Sequence, residues 1–254
     1  MQKLSVIIPC YNEERNIGDC IKTVQWADEI LAVDSFSTDS TVDIARSLGA
    51  TVLQHEYVNS AAQKNWAIPQ AENDWVLIVD ADERVSDGLR EEVQQVLRAD
   101  GPCDGYWIRR ENYFFGRRIR FSGWRNDGVV RLFRRDRGRY EEKHVHASLL
   151  VDGRVGKCRH PFLHYSYRTI EDELVKIRRY GAWGAEDARA AKKKAGVRRL
   201  LLHPAFRFFY DYVVRGGFLD GKHGLVLCMF NAFGAFYKYA RLWEMELAEG
   251  SERR

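Results

Sequence analysis

The sequence has no apolar run long enough to cross a bilayer. The longest, residues 225–239, is interrupted by Asn231 and Gly234 and falls short of the roughly 20 residues a spanning helix needs. Cysteine is sparse: five in 254 residues, odd in number, far apart and without a Cys-x-x-Cys pair. That excludes a disulfide framework and a zinc-finger spacing, and it fits a reduced compartment. The opening Met-Gln-Lys-Leu-Ser-Val-Ile-Ile lacks the longer apolar segment of a signal peptide. Neither sign of charge is in large excess: 40 Lys and Arg against 36 Asp and Glu leave a net of only +4, too little to argue for nucleic acid by itself. No internal repeat or low-complexity tract is visible. These absences argue against a secreted and a simple membrane-spanning chain.

What is present is an ordinary globular composition, 45% hydrophobic and 30% charged, which excludes a disordered chain. The first hundred residues alternate two patterns. Residues 4–9, 30–33, 51–54 and 75–79 are short apolar runs of strand type, and a continuous apolar run is what a strand buried on both faces requires. Residues 17–24, 40–48, 61–68 and 86–97 have helical spacing, with Gly49 and Pro69 as stops. Alternation of this kind predicts a parallel sheet flanked by helices. Beyond residue 100 the chain reads as strands at 106–115, 119–121, 129–133, 145–151 and 163–165. From Thr169 it is helical, over 169–195, 198–214 and 225–247, with a boundary near residue 166. Thr169-Ile170-Glu171-Asp172 has the form of an N-terminal cap.

The strongest chemical feature is Asp80-Ala81-Asp82-Glu83, which follows the fourth apolar strand. With a two-residue period, Asp80 and Asp82 leave the strand end on one side. Open α/β sheets bind ligands beyond the carboxyl ends of their strands. Mg²⁺ or Mn²⁺ takes one or two carboxylates plus phosphate oxygens, so this is a place for a metal that bridges a diphosphate. A solvated acidic turn is the plainer alternative for Asp-x-Asp alone. Two other strand ends shift the balance: Pro9-Cys10-Tyr11-Asn12-Glu13-Glu14 after the first strand, and Asp34 closing the second. In a parallel sheet all three share one edge, where acidic groups can bond nucleobase imide and ribose hydroxyl groups.

The stretches Ser5–Glu14, Val33-Asp34-Ser35-Phe36-Ser37-Thr38-Asp39-Ser40-Thr41, Gln63-Lys64-Asn65 and Asp80–Glu83 together resemble the family 2 inverting glycosyltransferases. That resemblance implies a GT-A fold: a Rossmann-like, mostly parallel sheet with flanking helices, here followed by a C-terminal helical extension. It assigns residues 1–165 to the catalytic domain, with 1–100 the nucleotide-sugar half and 101–165 the acceptor half, and leaves 166–254 as the extension. It places Pro9, Tyr11, Glu13, Asp34, Lys64 and Asn65 around a UDP-sugar donor. It makes Asp82 the metal ligand, with Asp80 on ribose or on metal-bound water. The Gln-x-x-Arg-Trp signature of processive synthases is absent, which implies one sugar per acceptor.

In the second half, Ser122-Gly123-Trp124-Arg125-Asn126-Asp127, Arg131-Leu132-Phe133-Arg134-Arg135, Val145-His146, His164-Tyr165-Ser166-Tyr167 and Gly217-Phe218-Leu219-Asp220-Gly221 resemble lipopolysaccharide-core enzymes that add a β-linked glucose to inner-core heptose. Those enzymes usually carry Val-His-Glu, and this chain has Ala147 at the third position. An inverting transfer needs one general base across the sugar from the diphosphate. Asp127 is the first candidate, and Glu141 and Glu142 are the alternatives. The plain reading of Asp127 is an arginine partner. His146 and His164 are candidates for a further metal ligand or a phosphate contact.

Residues 109–139 are dense in arginine, whose planar fork suits phosphate. The resemblance to core enzymes makes that strip fit an anionic glycolipid acceptor rather than nucleic acid, although a self-paired surface accounts for part of it. The aromatic and basic C-terminal region suits a membrane interface, packing on the catalytic domain, or a second subunit in a homo-oligomer. The expectation is therefore a cytoplasmic, metal-dependent enzyme, peripheral on the inner face of the cytoplasmic membrane. It would move one hexose, glucose, from a UDP-sugar to a glycolipid. The rival of another class is a sugar-nucleotide-binding or scaffold protein that has lost catalysis, with Ala147 as its mark. A nucleotidyltransferase would need a glycine-rich loop after the first strand, which is missing.

Overall fold

A computed structural model describes residues 2–99, 101–141 and 147–252. The chain forms two compact units. One comprises Met1–Glu111 and Asn126–Ser166, the other Asn112–Arg125 and Tyr167–Arg254.

The first unit is built on a sheet that begins with four parallel strands, β1 (Leu4–Cys10), β2 (Glu29–Asp34), β3 (Thr51–Gln54) and β4 (Trp75–Ile78), in the order β3-β2-β1-β4. Helices α1 (Ile17–Lys22), α2 (Thr41–Ser47) and α3 (Ser60–Ala67) make the crossovers. The continuous apolar runs serve both faces, as the two-residue period demands. Val6 and Ile8 join Ile17 and Ile21 in one core, while Ile7 packs with Leu31, Val33 and Ala67 in the other. Helix α4 (Asp87–Ala99) buries Leu89, Val93 and Leu97 against the first core.

Past β4 the sheet turns antiparallel. Strand β5 (Glu83–Val85) was not legible in the sequence, being three residues inside an acidic turn. Strands β6 (Gly105–Phe114), β8 (Gly128–Arg134) and β12 (Phe162–Tyr167) match predicted strands. The order continues β4-β8-β6-β12-β5. The expected mostly parallel sheet with flanking helices is present. The short strands β9 (Gly138–Tyr140), β10 (Leu149–Val151) and β11 (Val155–Lys157) complete the unit. Of the strand expected over 145–151, residues 145 and 146 lie outside the described residues.

In the second unit, residues 119–121 are not a strand, contrary to the sequence pattern; a two-residue strand, β7 (Arg117–Arg118), pairs with β6 instead. The backbone N–H groups of Arg120 and Phe121 donate to the buried Asp220 carboxylate at 3.1 and 2.9 Å, so a side chain takes the place of a neighbouring strand. This gives the Gly-Phe-Leu-Asp-Gly segment a structural role. Helix α5 (Ile170–Ala190) starts on the capping box foreseen at Thr169: Asp172 N–H donates to Thr169 Oγ1 (3.1 Å) and Thr169 N–H to Asp172 Oδ2 (2.9 Å). Helix α6 (His203–Phe209) is extended by π-helical turns at Arg198–Leu202 and Tyr210–Val214. The last helix, α7 (Gly221–Glu252), starts earlier than expected. It packs on α5, where a Cβ on Gly181 would lie 2.5 Å from the Tyr237 ring.

One carboxyl in this unit is out of balance with its surroundings. Glu173 on α5 is buried, with Oε2 unpartnered. Burial pushes its pKa up to about 7, against the opposing pull of Lys176 and a Tyr167 hydrogen bond. A carboxyl with a raised folded-state pKa stabilises fully below its unfolded value of about 4.3, and that contribution is lost as pH rises through 7. Glu173→Gln removes the titration. Urea unfolding should find the variant roughly 1–3 kcal/mol more stable than wild type at pH 8 and nearly equal to it at pH 5.

Candidate active site

The carboxyl ends of β1, β2 and β4 lie side by side. Ile7 is in register with Ile78, and Cys10 with Asp34. The antiparallel pairing of Leu77 with Leu132 brings the start of β8, and hence Asp127, to the same edge. The pairing of Arg109 with Gly128 adds Arg110, and that of His164 with Glu83 adds His164.

Asp80 is the hub. Its carboxylate takes Lys64 Nζ of α3 at 2.8 Å on one oxygen and the Arg131 guanidinium of β8 on the other. Both cations are buried, while Asp80 keeps 29% of its side chain exposed. Burial would raise the Asp80 pKa, but Arg131 and then Lys64 outweigh it and hold the carboxyl well below the usual range. Burial likewise opposes the charge on Arg131, and Asp80 and Tyr140 overcome it, raising its pKa. Arg131 also donates to Tyr140 Oη (2.8 Å). Asn65 locks Tyr140 through its backbone, accepting from Tyr140 N–H at 2.8 Å and donating to its carbonyl at 3.0 Å. Lys64 and Asn65, expected near the donor, thus act on Asp80 and on β9.

Glu83 lies beneath this hub. It is fully buried and accepts from Asp80 N–H at 3.0 Å. Burial, then repulsion from Asp80, pushes its pKa up. Its other oxygen is 3.7 Å from Arg110 Nη1, and Arg110 donates to Asp127 Oδ1 at 2.7 Å. Asp127, the base candidate, is therefore held in an ion pair. Glu83, Arg110 and Arg131 were missed as site residues. Arg131 stood out as a charge inside the apolar run of β8, whereas Glu83 read as part of the acidic turn and Arg110 as part of the basic strip.

Asp82 faces His164, with Oδ2 3.5 Å from Nε2. The Ser166 hydroxyl lies 3.1 Å from His164 Nδ1. No group of three or more His, Cys, Asp or Glu side chains among the described residues could hold a metal. One carboxylate and one imidazole nevertheless suit an ion that takes its other ligands from phosphate oxygens and water.

Asp34 is fully buried, and its carboxylate accepts from Ser37 N–H (3.0 Å) and Gln54 Nε2 (3.3 Å). Tyr11 is exposed in the loop after Pro9. That loop is tied to the one after β2: Asn12 N–H donates to Ser37 Oγ (2.8 Å) and Glu13 N–H to Thr41 Oγ1 (2.7 Å). Glu141 accepts from Ser148 N–H at 3.0 Å. Glu142 and His146 lie outside the described residues.

A sheet that opens with parallel strands, carries charged groups on their carboxyl edge and is flanked by helices has the form of the GT-A fold. The model of glycosyl transferase family 2 matches residues 5–154, and the chain belongs to that family. A lipopolysaccharide core biosynthesis glycosyltransferase, LpsC of Rhizobium meliloti (strain 1021), is 29% identical over 248 residues, spanning 95% of this chain and 92% of the relative. An uncharacterised glycosyltransferase of Rickettsia felis is 29% identical over 264 residues, 96% and 90% of the two chains. Among solved structures, residues 1–349 of Staphylococcus aureus TarS align with a TM-score of 0.48 and 17% identity, over 98% and 92%. Glucosyl-3-phosphoglycerate synthase of Mycobacterium tuberculosis, solved with Mn²⁺ and UDP, aligns over 44% of each chain with a TM-score of 0.37 and 21% identity.

The hub can be tested without substrate. Removing one partner of a buried ion pair costs about 3–5 kcal/mol, and the partial exposure of Asp80 reduces this to about 2–3 kcal/mol for Arg131→Met. Urea unfolding should show that loss, and adding Asp80→Asn should recover part of it. Equal stability of Arg131→Met and wild type would remove Asp80 as the organising group.

Proposed function

We propose that this glycosyltransferase moves a single hexose, glucose, with inversion from a UDP-sugar to a lipopolysaccharide-core or related anionic glycolipid. The observation that carries the reading is the Asp80 hub: two buried cations fix the first carboxylate of Asp-x-Asp and leave the second beside His164. The likeness to LpsC along nearly the whole chain supports the acceptor class.

In this reading Asp82 and His164 would hold Mg²⁺ or Mn²⁺, which would supply positive charge for the leaving diphosphate. Pro9, Tyr11, Glu13 and Asp34 surround the nucleotide, with Asp34 acting through the turn it holds at Ser37. Lys64, Asn65 and Arg131 keep Asp80 and the edge rigid, so the diphosphate meets preorganised charge. Asp127 takes the acceptor hydroxyl proton, and Arg110 orients it. The acceptor is lipid-linked, so the enzyme works peripherally at the inner membrane surface. No described helix is long and apolar enough to cross a membrane.

Ligands that bind only the folded state raise the melting temperature. A thermal-shift panel of UDP-, GDP- and CMP-sugars should respond to UDP-sugars and more strongly with Mn²⁺. Asp82→Ala should lose the Mn²⁺-dependent part and all transfer to core glycolipid. A GDP- or CMP-sugar response in place of UDP would overturn the donor assignment.

Asp127→Asn should lower transfer by roughly 10²–10⁴-fold, the usual worth of a positioned base, with donor-induced thermal shift almost unchanged. Glu141→Gln and Glu142→Gln are the controls. Normal turnover in Asp127→Asn together with loss in either control would move the base to that residue.

A further inference from the structure

The second unit contains a helix built inside out. Over the segment 198–214, the polar anchor points inward. Asp211 is fully buried and accepts from Arg207 Nε at 2.6 Å, Asn231 Nδ2 of α7 at 3.2 Å and Arg215 Nη1 at 3.3 Å. The opposite side is apolar and open. Leu202, Phe206, Phe209 and Val213 follow in steps of four, three and four residues, which places them on one stripe. All four are exposed, Leu202 at 62% and Phe206 at 63%. Val197 and Leu201 extend the apolar surface at its amino end, exposed at 71% and 62%. Isolated exposed apolar residues need no explanation, but a contiguous stripe marks an interaction surface.

The charges around the stripe say what covers it. Of the seven Lys and Arg in residues 188–210, Arg189 pairs with Glu249 and Arg207 with Asp211, while Lys192, Lys193, Lys194 and Arg198 are exposed. A two-fold contact between copies would set the same patch against itself and bring these cations face to face, which opposes dimerisation through this surface. A bilayer rich in anionic headgroups satisfies both features at once, taking the apolar stripe at the acyl boundary and the cations among phosphates. The helical segment of 17 residues is about 25 Å long, enough to lie along such a surface.

We propose that residues 197–214 are a membrane-docking element that lies flat in the interface of an anionic bilayer, with Leu202, Phe206, Phe209 and Val213 as its inserted face. This rests on the lipid-linked acceptor of the reading above, and it puts the contact on α6 and its flanking turns rather than on the longer α7.

The test uses the full-length protein without donor or acceptor. Flotation with phosphatidylcholine vesicles should recover little protein, and mixed phosphatidylcholine–phosphatidylglycerol vesicles should carry most of it at low salt. The double variant Phe206→Gln/Phe209→Gln should bind at least tenfold more weakly with an unchanged melting curve, because both rings are exposed. Neutralising Lys192, Lys193 and Lys194 to Gln should cost roughly fivefold per residue, on anionic vesicles alone. Leu150→Gln, an exposed apolar site in the first unit, should bind like wild type. Wild-type protein that stays unbound to anionic vesicles would overturn the proposal. So would wild-type binding by the Phe206/Phe209 variant, or a dimer in gel filtration that this variant dissolves while vesicles capture nothing. Transfer to detergent-dispersed glycolipid is a separate readout, so vesicle binding without transfer counts against the proposed reaction and not against the docking element.

Discussion

The clamp on Asp80 is the contact around which the carboxyl edge of the sheet is organised. A carboxylate between two buried cations gathers three separate pieces of chain at the end of β4. Lys64 comes from α3 and Arg131 from β8, and Tyr140 of β9 is added through Arg131. Each cation would be costly to bury alone, and the carboxylate is the group that makes both tolerable. Glu83 then occupies the space below, and Arg110 links it to Asp127. The edge is rigid because its charged groups satisfy one another, and preorganisation of this kind is what an electrostatic catalyst requires.

The first hundred residues were legible because their signals are local. The run from Leu4 to Cys10 is apolar but for Ser5, close to what a strand buried on both faces requires, and each such run emerged as a parallel strand. The edge residues followed from strand ends alone. The second half was harder to read. Glu83 belongs to a three-residue strand, too short for a two-residue period to register. Ile119 to Phe121 looked like a strand, yet Asp220, about a hundred residues later, takes the backbone N–H groups of Arg120 and Phe121. Arg110 and Arg131 read as part of a basic surface strip because a sequence shows the charge but not the partner that neutralises it. Arg109 does pair near the surface, with Glu111, so the strip divides between brace and surface.

Asp34 shows the same limit. Its position at a strand end was evident, but its carboxylate bonds Ser37 and Gln54 and so first shapes the loop it closes. That loop is joined to the one after β1 through Asn12 and Glu13. Two loops that would otherwise move independently therefore share one conformation, and the exposed Tyr11 stands on a fixed base.

The braced network also determines how the edge looks from a distance. Lys64, Arg110 and Arg131 are matched by Asp80, Glu83 and Asp127, three cations against three anions. Burial and repulsion from Asp80 raise the Glu83 pKa, so the six groups sum to zero only where Glu83 is ionised; there, close opposite charges produce a field that decays faster than that of a net charge. In that state an approaching anion is neither drawn in nor repelled by them at long range. They act only within contact distance, so the encounter rate of a charged ligand is left to the exposed charges of the surface while the buried ones act once it has arrived.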